Sequence, residues 1–62
     1  MNEDIKKALD HFQKMEYKEA LEIFERLLEE EENAGLLNNI GPCYYKLGNL
    51  DKALEFYQRG LR

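Results

Sequence analysis

Lys18-Glu19-Ala20-Leu21-Glu22-Ile23-Phe24-Glu25-Arg26-Leu27-Leu28 aligns without a gap with Asp51-Lys52-Ala53-Leu54-Glu55-Phe56-Tyr57-Gln58-Arg59-Gly60-Leu61, at an offset of 33 residues. Self-similarity at a period of this length is the signature of a stacked repeat architecture, so it takes precedence over any residue-by-residue reading. Both copies carry apolar residues at spacings of three and four, the pattern of a helix buried along one side.

Upstream of the first copy, Ile5, Leu9 and Phe12 recur on one face. Asn2 stands in a capping position, and Glu3 and Asp4 suit a helix's positive end. These residues predict a helix over about 3–14. Met15-Glu16 is the turn before the stripe Tyr17, Ala20, Leu21, Phe24, Leu27 and Leu28, which predicts a second helix over about 17–31. Asn33 caps a third over about 34–47, with Leu36, Leu37, Ile40, Tyr44 and Leu47 inward and Gly48 suited to a left-handed stop. A last stripe, Leu50, Ala53, Leu54, Tyr57 and Leu61, runs to the end of the chain. The fold class is therefore all-α, with four helices in two antiparallel hairpins. One domain spans 1–62, with repeat 1 at about 1–33 and repeat 2 at about 34–62.

A chain of 62 residues supports one core, worth only ~3–5 kcal/mol of net stability. With 44% hydrophobic and 35% charged residues it has enough apolar matter for a helical core and enough charge for solubility, which argues against disorder. The formal net charge of -4 repels a phosphate backbone and argues against nucleic acid as a partner. No apolar run approaches the roughly 18 residues of a membrane span, and Met1-Asn2-Glu3-Asp4 lacks the basic start of a signal peptide. The lone Cys43 makes no internal disulfide and no Cys-x-x-Cys metal cage, and suits a reducing compartment. The expected location is cytoplasmic, with no membrane partner, cofactor or metal.

The second hairpin reads Leu37-x-x-Ile40-Gly41-x-x-Tyr44, followed by Gly48, Ala53, Tyr57 and Leu61, and it closely resembles the tetratricopeptide repeat. In steric terms, Gly41 and Ala53 fall where the helices of a hairpin approach closely, and Tyr44 and Tyr57 fill the wider gaps. The first hairpin matches less well. It keeps Ala8, Tyr17, Ala20, Phe24 and Leu28 but has Asp4, Lys7, His11 and Met15 where the pattern has Trp, Leu, Tyr and Gly. Glu29-Glu30-Glu31-Glu32-Asn33 replaces the usual linker ending in Pro and shortens the junction by one residue against the family period. Ankyrin repeats share the period, but their Thr-Pro-Leu-His signature is absent.

Pro42 falls inside the third helix, where it has no N–H for the Asn38 carbonyl and costs ~3 kcal/mol in a helix interior. With Gly41 beside it, the expectation is a kinked third helix. The alternative is a break at Gly41-Pro42, after which the second and third helices merge into one long helix and the repeats exchange between chains.

Cys43 and His11 are the nucleophile and base types present, yet they sit on separate repeats with no acid to orient the histidine, so no catalytic residue and no enzymatic role are expected. Cys43 reads as buried filler and His11 as a substitute for a packing Tyr. Four successive glutamates, Glu29 to Glu32, diverge around a helix axis and form no metal site; they oppose the helix dipole and invite a basic group to face them in a complex.

The resemblance implies a concave groove lined by the first helix of each hairpin. It maps onto Asn2, Ile5, Leu9, Phe12, Gln13, Asn38, Asn39, Pro42, Tyr45 and Lys46 as candidate peptide- or partner-binding residues. Family members that clamp a peptide's terminal carboxylate use Lys and Asn where this chain has Ile5 and Leu9. Only Asn39 matches that clamp, so an apolar or aromatic-anchored peptide fits better than an acidic tail. The second functional expectation is self-association into a dimer or larger homo-oligomer. Two repeats fall short of the usual minimum of about three, and the chain ends as though cut before a capping helix. Leu36, Leu47, Leu50, Leu54 and Leu61 are the candidate face that a following repeat would cover.

Overall fold

The computed structural model describes residues 2–61, with the side chain of Asn2 outside the described set. Among these residues the chain forms four helices, α1 (Asn2–Gln13), α2 (Tyr17–Glu30), α3 (Ala34–Lys46) and α4 (Leu50–Gly60). Their bounds lie within a residue or two of those expected from the apolar stripes. Each helix packs on the next in chain order, α1 on α2, α2 on α3 and α3 on α4, which gives two helical hairpins in a row. The result is a plate of 26 × 25 × 14 Å.

The turns inside the two hairpins are built alike. Glu16 N–H donates to the His11 carbonyl at 2.8 Å and Met15 N–H to that of Phe12 at 3.0 Å. Thirty-three residues on, Asn49 N–H donates to Tyr44 at 2.9 Å and Gly48 N–H to Tyr45 at 3.1 Å. Both are Schellman motifs, which satisfy the last carbonyls of a helix and need a left-handed residue one step beyond it. Gly48 supplies that conformation at φ 87°, and Met15 adopts it at φ 65° despite its Cβ.

The junction between the hairpins ends α2 instead of extending it. Glu31 is extended at φ -157°, and the Asn33 side chain accepts from Leu36 N–H at 2.9 Å, capping α3 as expected. Helices two and three are thus separate, and the merged helix of a domain-swapped assembly is not formed. Nor does α3 break at Gly41-Pro42: it runs unbroken to Lys46. Leu37, Ile40, Gly41 and Cys43 on this helix are buried, and packing on both α2 and α4 holds it in place.

The core gathers Ala8, Ala20, Phe24, Leu27, Ile40 and Cys43, all of them fully or almost fully buried. Gly41 is tied to α4 through Tyr57, because a Cβ at Gly41 would stand 3.0–3.2 Å from the Tyr57 ring. The buried aromatic of α4 differs from expectation, which put Tyr57 in the inward stripe. The inward aromatic of α4 is Phe56, buried and stacked on Tyr44 with ring centroids 5.5 Å apart. The stripe Leu50, Leu54 and Leu61, with Leu47 before it, points out, since among the described residues α4 packs chiefly on α3.

Candidate functional site

On the α1 and α3 side of the plate, Leu9, Phe12, Asn39 and Pro42 line a cleft of about 130 Å³ whose floor is Phe24 of α2. Four of the groove residues expected from the sequence are thereby brought together. Leu9 is exposed at the cleft, and Phe12 is held by an edge-on contact with Tyr17, ring centroids 5.0 Å apart. Pro42 lends its ring to the wall, and the site tolerates proline because the rest of α3 is pinned by core contacts. Tyr45, Lys46 and Gln13 are exposed, and Ile5 is half-buried against the core. Asn38 lies elsewhere: its side chain runs close alongside Gly60 at the end of α4, at a spot where a Cβ would collide with it. Phe24 was missing from the sequence-based set because it belongs to the second helix of its hairpin, while a groove reading looks only at first helices.

The second surface is the outer side of α4. Leu47, Leu50, Leu54 and Leu61 are 43%, 60%, 58% and 86% exposed, and half-open Tyr57 lies among them. Leu36 does not belong to this face: it is 5% exposed, turned into the core that α3 shares with α2. The repeat offset explains the exposure. The counterparts of Leu50, Leu54, Tyr57 and Leu61 in repeat 1 are Tyr17, Leu21, Phe24 and Leu28, which α2 places between α1 and α3 and which are buried or half-buried.

The groups with chemical potential are engaged or quenched. Cys43 is fully buried, and burial, with the Glu25 charge nearby, pushes its thiol up to about 11, so the nucleophilic thiolate does not form near neutral pH. His11 does have an acid, contrary to the sequence reading: the hairpin turn brings the Glu16 carboxylate within 2.7 Å of Nδ1. The pair is solvent-exposed and joins the end of α1 to the turn before α2, whereas Cys43 is inside α3. At the position one repeat later, the Tyr44 hydroxyl donates to Glu25 at 2.8 Å; burial and that bond push its ionisation up to about 12.

The acidic run also finds a partner inside the chain. The Arg59 guanidinium donates to Glu32 at 2.5 Å, lies 3.9 Å from Glu55 and sits over the Phe56 ring at 4.9 Å. The basic group that Glu29 to Glu32 invite is, for Glu32, this arginine. Among the described residues no helix is long and apolar enough to cross a membrane.

No curated protein and no solved structure matches the chain. A family model described as tetratricopeptide repeat does, over residues 1–62, in agreement with the paired hairpins and their two Schellman turns, and the chain belongs to the tetratricopeptide repeat family.

Proposed function

We propose that this tetratricopeptide repeat chain is a protein-interaction module that self-associates through the uncovered side of α4. Membership of the family supports the general role, since its repeats are non-catalytic surfaces for protein partners. The specific reading rests on Leu47, Leu50, Leu54 and Leu61, aliphatic side chains left in water on and at the two ends of a helix whose repeat-1 counterpart is sandwiched. Covering such a side chain is worth ~1.5–3 kcal/mol at full burial, a large gain for a chain of marginal stability. The cytoplasm is the proposed setting, because the buried free thiol of Cys43 suits a reducing compartment.

Light scattering over a wide range of concentration tests this. Mass rising above the 7.4 kDa of one chain, with Leu54→Glu returning it to one chain, is the expected result; a constant single-chain mass would overturn it. A second reading is favoured by the cleft of Leu9, Phe12, Phe24, Asn39 and Pro42, which suits one apolar or aromatic anchor of a peptide, with the Asn39 amide available to its backbone. In that case Phe12→Ala abolishes peptide binding and leaves the mass unchanged.

A further inference from the structure

The exposed residues Leu50, Leu54, Tyr57 and Leu61 follow one another at spacings of four, three and four, the seam of a helix that pairs with another helix. This spacing is unchanged when read backwards. Two α4 helices laid antiparallel about a two-fold axis therefore set Leu54 against Tyr57 of the second copy and Leu50 against its Leu61, with every seam residue matched. A parallel pair would instead face Tyr57 with Tyr57 and Leu54 with Leu54, setting large against large and small against small, with the two helix dipoles aligned unfavourably.

Head-to-tail growth is opposed by charge. Within the chain, α3 carries the buried or half-buried Leu37, Ile40, Cys43 and Tyr44; one repeat earlier the same positions on α1 are Asp4, Lys7, Asp10 and His11. A copy that stacked its α1 on α4 would press these polar groups onto Leu54 and Tyr57, and desolvating an unpaired charge costs several kcal/mol. A self-matching apolar seam beside a charged opposite end gives an assembly that closes at two.

We propose, resting on the self-association reading above, that the occupant of the α4 face is a second copy of the chain, with α4 antiparallel to α4 about a two-fold axis. A single stripe of helix about 16 Å long covers less than the ~800 Å² per partner of a standard interface, so the pairing belongs to the weak, reversible class.

Leu50→Glu and Leu61→Lys test the pairing. Both sites are open in the single chain and both changes suit the helix dipole, so each variant keeps its helicity, as checked by circular dichroism. In sedimentation equilibrium the wild type is expected to be a dimer, and each variant alone to associate roughly tenfold more weakly or worse. Mixing the two variants is expected to restore a dimer, because one end of the antiparallel seam then joins Glu to Lys and the other keeps Leu50 against Leu61. A dimeric wild type with no recovery on mixing would overturn the antiparallel pairing and leave the α4 face standing. Mass growing beyond two chains would overturn closure, and a wild type of single-chain mass at all concentrations would overturn the self-association reading itself.

Discussion

Met15 and Gly48 hold the same left-handed corner one repeat apart, and they differ in what that corner costs. A side chain with a Cβ loses ~1–2 kcal/mol in this conformation, and glycine recovers most of it, less the entropy it adds to the unfolded chain. Met15→Gly is therefore expected to stabilise the protein by about 1 kcal/mol, read as a rise of ~4–8 °C in the thermal midpoint. Tyr44 and Cys43 both weaken the fold at alkaline pH. In both, the folded chain favours the neutral form, with Tyr44 raised from 10.0 to about 12 and Cys43 from 9.0 to about 11. Their contribution is complete below the ordinary values and is lost as pH climbs through the raised ones. Unfolding followed by circular dichroism should show stability falling between about pH 9 and 12, with a shallower fall in Tyr44→Phe.

The helices were legible as elements because their signals are local: stripes at three and four, Asn33 at a cap, Gly48 at a stop. Which stripe faces inward was legible only where a neighbour in the chain covers it. Leu54 and Leu21 occupy equivalent positions and read alike, yet only Leu21, on α2 between α1 and α3, is covered; Phe56 proved to be the buried aromatic of α4. The Glu16 partner of His11 was hidden for a related reason, since it is the turn, and not helix periodicity, that folds the acid back. Pro42 shows packing overruling propensity. It remains helical at a cost of ~3 kcal/mol against an ordinary residue, partly offset by the order it imposes on the unfolded chain. Pro42→Ala is expected to stabilise α3 by about 2 kcal/mol in thermal melts while leaving the mass in solution unchanged, because an unbroken helix gives the proline no part in assembly.

At the scale of the molecule, a plate only 14 Å thick has little interior, so few side chains carry the fold. Phe24 touches both the core and the floor of the cleft, and Phe24→Ala, at ~3–5 kcal/mol, should consume most of the net stability and leave a chain without a cooperative melt. Helices that pack chiefly in chain order also come apart in order, from whichever end is held least. Arg59 bears on that order: it reaches back from the last helix to Glu32, in the link between the hairpins, and lies on Phe56 as it does so. This contact acts as a latch against fraying of the C-terminal end, worth about 1 kcal/mol and weakened by salt. Amide exchange in α4 should quicken roughly fivefold in Arg59→Gln, with α1 unaffected. The chain's most water-exposed apolar surface is thus carried on the helix whose opening one arginine slows.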